Sequence, residues 1–489
     1  MSPPRERAQP AGRTRLRDLL RPDRFSGAAG WTMALRLVGL PFQLLLFLLV
    51  ARLHPVADVG LFAVVLGLWL AVRSLGPLGF DQAAMRFIPA FRAEGRSWAA
   101  AAFVRIALLW IGLPAVLAGA ILVAGAILQG WSLPSLAAIG MGEGQDTGGG
   151  SAFILLCGLG LPGYVLIGFL VGVVRARRQV IAAQLPELVA QPLLSLAAVG
   201  AVALAMPESG VLGSLAAVAV AAWAVALAYL WLARGVLRRG PSLPAAERRA
   251  IVRTCLSIGL SKAVTIVTLR APLFILFLLA GAAAAALFET AQRLALLGTL
   301  GTWAIIAAAS PMIAEAHAAG QGERLRRLVA GSIVIAAAQT LAVLLVLLVL
   351  GDWLLGLFGP AYTAARWTAV ILSLAFLANA VGGPVGNAFF MIGRERLPLG
   401  FNIAGLAVMA VAVPAGTALA GPTGAAAGFA LALLVRDGGM AAMAPGMLGL
   451  RPGDLHPGRM AAALLARRGG APDATGPAGA PVRSGPKPP

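Results

Sequence analysis

The sequence predicts an all-α polytopic membrane protein of about twelve transmembrane helices, arranged as two six-helix bundles in parallel repeat. Three observations predict it: hydropathy, the segregation of positive charge, and an internal repeat. Of the 489 residues 59% are hydrophobic and 12% charged, with a mean hydropathy of +0.87. Soluble domains are about a quarter charged, so an aqueous fold is excluded. Apolar stretches recur from residue 29 to residue 445, and roughly 20 apolar residues make a helix that crosses about 30 Å of hydrocarbon.

Hydropathy and Gly/Pro punctuation place the spans at 29–52, 57–88, 98–125, 151–174, 181–205, 211–233, 254–279, 284–313, 329–350, 363–390, 398–420 and 423–446. The first is too long for a signal-peptide core and its flank lacks a small-residue cleavage pattern, so it is expected to be retained. The second, eighth and tenth are long and contain Gly or Pro where they can bend. Cys157 and Cys255 fall inside apolar segments and are expected to pack rather than to pair.

The net charge of +20 would suggest nucleic acid in a soluble protein, but its distribution argues for topology instead. Twenty-nine of the 39 Lys and Arg residues fall in the tails and in the loops after spans 2, 4, 6, 8 and 10. The intervening loops, at 53–56, 126–150, 206–210, 280–283, 351–362 and 421–422, contain none. Because excess Lys and Arg marks the cytoplasmic face, both termini are expected inside.

The repeat pairs VGLFAVVLGLWLAVRSLG (59–76) in span 2 with AALFETAQRLALLGTLG (285–301) in span 8, and RFIPAFRAEG (86–95) with PMIAEAHAAG (311–320). Spans 2 and 8 are six crossings apart and run the same way. The expected organisation is a cytoplasmic basic tail at 1–28, a six-helix bundle at 29–233, a cytoplasmic linker at 234–253, a second bundle at 254–446 and a disordered cytoplasmic tail at 447–489. In such repeats the binding site lies between the halves, and access alternates by rocking.

The segment ARLHPVADVGLFAVVLGLWLAVRSLGPLGFDQAAMRFIPAF resembles the first two helices of polysaccharide flippases of the O-antigen type, in the multidrug/oligosaccharidyl-lipid/polysaccharide exporter superfamily. Gly60, Phe62, Gly79, Asp81, Gln82, Ala83, Arg86 and Phe87 carry the likeness, with Phe80 where Leu is commoner. GLFGPAYTAA (356–365) is similar to a Phe-Gly-x-x-Tyr element that members carry before helix 10. The resemblance implies a MATE-like fold and translocation of a polyprenyl-pyrophosphate-linked oligosaccharide across a bacterial inner membrane, for cell-surface polysaccharide synthesis. As further partners it implies membrane lipids and other polysaccharide-assembly membrane proteins. It calls for no cofactor.

Ten Lys and Arg residues lie in or near spans, against few acids, chiefly Asp81, Glu187, Glu289 and Asp437. Intramembrane cations need an anion or water, and arginine offers paired donors to phosphate oxygens. The candidate cationic cavity therefore comprises Arg36, Arg73, Arg86, Lys262, Arg270 and Arg293. Arg52, Arg105, Arg366 and Arg436 are near enough to span ends to snorkel. Thr32, Arg36, Gly39 and Gln43 make a polar stripe on span 1, which can line a cavity or anchor the helix at the interface. Arg270 can contact substrate or pair with a neighbouring helix, and Glu289 with Arg293 at i, i+4 can satisfy each other. Asp81 and Glu289 can serve ion or proton coupling, or helix pairing. Asn379, Gly383 and Asn387 on span 10 are expected to act as polar glue between helices.

No phosphate-binding loop of the Gly-x-x-x-x-Gly-Lys type occurs, and His54, His317 and His456 are too scattered to make a metal set. A same-fold alternative is a cation-coupled multidrug exporter, which needs an acidic cavity. A membrane glycosyltransferase or polymerase generally needs outward loops rich in catalytic side chains. The longest arginine-free loop offers only Glu143 and Asp146.

The topology is testable with alkaline phosphatase fusions. Fusions after Glu208 and Asp352 are expected to be active and those after Arg178 and Arg326 inactive; the reverse pattern would invert the orientation.

Overall fold

Two glycines decide how many times the chain crosses. The computed structural model describes residues 24–128, 148–177, 179–236 and 241–450, and ten helical stretches within them are long and apolar enough to span a membrane. Two of these are too long for one crossing: Ala245–Ala318 has 74 residues and Arg396–Leu448 has 53, about 110 and 80 Å at 1.5 Å per residue. The first breaks at Gly281, with φ 84° and ψ −179°, and the second at Ala420 and Gly421, the latter with φ 52°. Positive φ is cheap only for glycine. Both breaks fall in expected arginine-free loops, so the ten stretches make twelve crossings.

The crossings are α1 (Arg24–Leu53), α2 (Val56–Ala93), α3 (Ser97–Ile127), α4 (Gly148–Ala176), α5 (Ile181–Ala205), α6 (Gly210–Ala233), α7 (245–280), α8 (282–318), α9 (Gly322–Gly356), α10 (Arg366–Met391), α11 (396–419) and α12 (422–448). Among the described residues there is no strand. The molecule is an all-α polytopic membrane protein with two six-helix halves.

Several helices run beyond the expected spans. Helix α1 starts at Arg24, inside the expected tail 1–28, and α7 starts at Ala245, so the helix takes up the second part of the expected linker 234–253. Pro244 precedes that start with an extended ψ of 146°, the conformation that lets a helix begin after it. Residues 129–147 of the expected arginine-free loop 126–150, and most of both expected tails, lie outside the described residues. Cys157 and Cys255 are free thiols, as expected.

Helices in a bilayer gain little from burying apolar surface against each other, because lipid is as apolar as leucine; close backbone approach replaces that drive. A Cβ on Gly172 of α4 would lie 2.7 Å from Asp81 Cα of α2, and one on Gly168 would press on the Arg73 carbonyl and, at 3.0 Å, on Pro77 Cγ. Gly160 faces the Trp69 ring in the same way. Trp69 in turn stacks on Tyr164, with ring centroids 5.3 Å apart, and donates its indole N–H to the Cys157 carbonyl at 3.2 Å. Across the halves, Gly60 of α2 meets the Ala282 backbone at the start of α8, where a Cβ would be 3.0 Å from Ala282 Cα.

Three short π-helical segments interrupt the α-helices, at Leu108–Gly112, Pro186–Ala190 and Leu434–Gly438. Such bulges re-aim side chains and are frequent at functional sites.

Replacing Gly172 with Ala is expected to lower the unfolding midpoint of the purified protein, whereas Gly200→Ala, where nothing lies within 4 Å, is expected to leave it unchanged. Equal midpoints for the two variants would show that the α2–α4 contact is looser than described.

Candidate functional site

The site is organised by an interruption in α2. Residues Val56–Leu75 and Phe80–Ala93 are helical, and between them Leu78 and Gly79 have φ of 49° and 83°. Pro77 lacks an N–H, and the break is closed by short turns, Leu78 N–H to the Leu75 carbonyl at 2.9 Å and Phe80 N–H to the Pro77 carbonyl at 2.8 Å. Gly79 packs against α7, where a Cβ would lie 2.6 Å from the Gly259 nitrogen. Helix α2 is thus pinned between α4 and α7. Arg73 stands on one side of the break and Asp81 on the other.

Each is ion-paired. Arg73 Nη2 lies 3.0 Å from Glu187 Oε1, and Glu187 sits in the π-helical segment Pro186–Ala190 of α5. Asp81 Oδ2 accepts from Lys262 Nζ of α7 at 2.7 Å, which ties the two halves together. On α8, Glu289 Oε1 is 2.8 Å from Arg293 Nη2 and 3.9 Å from Arg270 Nη1 of α7. The Arg293 guanidinium lies 4.2 Å from the centroid of the Phe47 ring on α1, a second crossing between halves. Arg270 is within electrostatic reach of Glu289, Arg293 and Arg73. Three arginines and two glutamates therefore form one cluster at the junction of the halves, with one positive charge in excess.

The cluster keeps unused polar valence. The Glu289 side chain is 3% exposed, yet its Oε2 has no hydrogen-bond partner among the described residues, nor do Gln292 Nε2 and Arg293 Nε beside it. The side chains of Arg73, Glu187 and Arg270 keep 17 to 23% of their surface accessible, so the cluster is not fully sealed in the core.

The six expected cavity cations are thus divided. Arg73, Arg270 and Arg293 are gathered into one cluster, with Glu289 as the shared acid, and Lys262 is engaged with Asp81 in a separate pair. Arg36 and Arg86 are not brought into it. Arg36 is exposed and has no ion pair or hydrogen bond among the described residues; Arg86 is exposed, its guanidinium 5.6 Å from the Phe87 ring. Arg73, Lys262, Arg270 and Arg293 all reach a carboxylate, the pairing alternative for Arg270 and Arg293, and four cations against three acids leave a surplus of one.

Of the residues expected to snorkel, Arg52 donates to the Leu357 carbonyl at 2.5 Å and the Gly356 carbonyl at 3.4 Å, and Arg105 donates to the Pro241 carbonyl at 2.7 Å. Arg366 is within ion-pair distance of Asp352, at 2.5 Å. Arg436 differs. It turns inward onto the adjacent Asp437, at 2.7 Å, and Asp437 is 1% exposed and also accepts from Asn379 at 3.2 Å. Asn387 donates to Ser310 at 3.0 Å. Asn379 and Asn387 are the interhelical glue expected of span 10.

Two parts of the site escaped the sequence reading. Glu187 is legible as an intramembrane acid but not as the partner of Arg73; its signal is the Pro-Glu dipeptide inside an apolar span, with Pro192 following. The glycines that seat α2 against α4 have a visible Gly-x-x-x-Gly spacing at 168–172.

No protein-family model matches the chain, and no curated protein matches it by sequence. Solved structures do match over most of its length. One is a multidrug resistance MATE family transporter of the MOP superfamily in an inward-facing conformation, with a TM-score of 0.68 and 19% identity over 86% of this chain and 98% of that one. Another is the lipid II flippase MurJ in an inward closed conformation, at a TM-score of 0.64 and 11% identity over 88% of each chain. A third is a MOP superfamily transporter from Pyrococcus furiosus described as having a binding pocket of reverse polarity, at 0.58 and 18% over 88% and 97%. The fold is that of MATE and MOP transporters.

The Asp81–Lys262 pair generates a direct test. Asp81→Asn or Lys262→Met strands the partner's charge, a loss of the kind that destabilises strongly when a buried pair is broken. Each single variant is expected to lower the unfolding midpoint, and the exchange Asp81→Lys with Lys262→Asp to regain most of the loss. An exchange variant no better than the singles would mean that the pair contributes little.

Proposed function

We propose that the protein is a flippase that moves a polyprenyl-pyrophosphate-linked oligosaccharide across the bacterial inner membrane, with both termini cytoplasmic, for assembly of a cell-surface polysaccharide such as O-antigen or exopolysaccharide. The observation that carries the reading is the excess of arginine over glutamate in the crevice cluster of Arg73, Arg270 and Arg293 with Glu187 and Glu289. Guanidinium groups bind phosphate oxygens through paired N–H donors. The two glutamates hold the arginines in place and offset their charge until an anion competes for the same donors. A diphosphate head group brings more negative charge than either carboxylate, so exchange of partners at Arg270 and Arg293 favours the loaded state.

The contacts between the halves fit a cycle in which one end opens at a time. At the arginine-rich end, Asp81 pairs with Lys262, and Arg96 of the α2–α3 turn binds Glu247 of α7 through Nη2 at 2.9 and 3.2 Å. At the opposite end, Gly60 rests on Ala282 and Phe47 lies 6.3 Å from Phe358 by ring centroid. Arg36 and Arg86, unpaired on the arginine-rich half of α1 and α2, are suited to meet a head group before it reaches the cluster. The flippase MurJ among the structures of this fold agrees with lipid-linked cargo.

A cation-coupled multidrug exporter of the same fold is the second reading, favoured by the MATE transporters among the structural matches. It predicts an acidic binding crevice, against which the arginine excess counts.

In proteoliposomes carrying a polyprenyl-pyrophosphate oligosaccharide, Arg73→Ala and Arg270→Ala are each expected to slow translocation by about tenfold or more, as expected when a charge-assisted phosphate contact worth roughly 1.5–3 kcal/mol is lost. Undiminished translocation by both variants at normal protein levels would refute the cationic-crevice mechanism. Drug accumulation without lipid translocation would favour the exporter.

A further inference from the structure

A second cationic feature lies away from the crevice, where α4 and α6 end on the arginine-rich face. A cavity of about 220 Å³ is lined there by Arg177, Gln179, Trp231, Leu232, Arg234 and Gly235. Drug-sized ligands occupy roughly 300–1,000 Å³, so this space suits a small head group.

Its charge is uncompensated. Arg177 and Arg234 line it, Arg92 at the end of α2 is within electrostatic reach of Arg177, and Arg175 has a buried Nε with no hydrogen-bond partner. None of these four arginines has an ion pair among the described residues, in contrast to the crevice cations. Part of the arrangement is structural: Arg177 Nη1 donates to the Leu232 carbonyl at 2.5 Å and so caps the end of α6. That bond orients the guanidinium, and its Nε and Nη2 have no hydrogen-bond partner among the described residues. Arg234 stacks on Trp231 at 4.5 Å from the ring centroid, which holds the guanidinium plane while its edge N–H groups remain available. Trp231 itself is 60% exposed, at the end of a spanning helix, the position at which tryptophan sits among lipid head groups.

We infer that this cavity binds the phosphate of an anionic glycerophospholipid, with Arg177 and Arg234 as the phosphate ligands and Trp231 lying along the glycerol and upper acyl region. Basic pockets between spanning helices on the face with excess arginine are where such head groups bind. Bound there, the lipid would neutralise a charge cluster that no acid among the described residues meets, and would bridge the ends of α4 and α6. The site serves as a structural lipid site and does not depend on what the crevice carries.

The test is native mass spectrometry of the full chain released from nanodiscs of phosphatidylglycerol mixed with phosphatidylcholine. A parallel thermal-unfolding series uses inorganic phosphate against chloride at equal ionic strength. The wild-type protein is expected to retain phosphatidylglycerol in preference to phosphatidylcholine. Arg177→Gln with Arg234→Gln is expected to weaken that retention about thirtyfold, as two arginines near a membrane surface imply. Arg177→Lys with Arg234→Lys, which keeps the charge, is expected to lose less, and Arg324→Gln with Arg394→Gln, on the same face but outside the cavity, to lose nothing. Stabilisation by phosphate that disappears in the glutamine variant, without lipid retention, would support the phosphate chemistry and assign it to a soluble anion. Equal lipid retention by wild type and the glutamine variant, or equal losses in the cavity and the control variants, would overturn the proposal.

Discussion

An ionised side chain held in hydrocarbon costs about 3 kcal/mol or more unless a partner or water meets it, and that cost organises this molecule. Arg73 meets Glu187, Lys262 meets Asp81, and Arg270 and Arg293 share Glu289. The pairs run between helices and not merely along them, so charge satisfaction also decides which helices touch. Asp81 and Lys262 join the halves near the break in α2, while Arg293 reaches across to Phe47. Glu289, shared by two arginines, keeps a buried oxygen with no hydrogen-bond partner among the described residues.

The pairs form at these distances because the backbones approach closely. Gly168 and Gly172 let α4 lie against the backbone of α2 at Arg73 and Asp81, and Gly79 does the same for α7. The π-helical segment at Pro186–Ala190 adds a residue to the turn that presents Glu187. Without side chains at the glycine positions and without that extra residue, the same charges would sit at other angles and depths.

Cations are met in two ways. In the interior Arg73, Lys262, Arg270 and Arg293 are paired on the protein, with one positive charge in excess. At the face with excess arginine, Arg92, Arg175, Arg177 and Arg234 have no acidic partner among the described residues. Others on that face, such as Arg96 with Glu247, do pair with a carboxylate. Most of the positive charge therefore lies in the tails and in the loops between spans, and only a small excess lies in the interior.

Much of this was legible in the chain itself. Hydropathy, arginine-free loops and Gly/Pro punctuation determined an all-α membrane fold and twelve crossings, including the tight turns at Gly281 and Gly421, because hydrocarbon admits few backbone solutions and each leaves a twenty-residue signature. The i, i+4 pair of Glu289 and Arg293 was also legible, since it is local to one helix. What only the tertiary structure decided is who meets whom over long separations. Asp81 finds Lys262 and Arg73 finds Glu187 because of helix rotation and depth, set by glycine contacts and a π-helical segment that shift a face by tens of degrees. For the same reason Arg36, which shares a polar stripe with Gly39 and Gln43, stays apart from the cluster: a stripe specifies a side of one helix, and only packing specifies what that side meets.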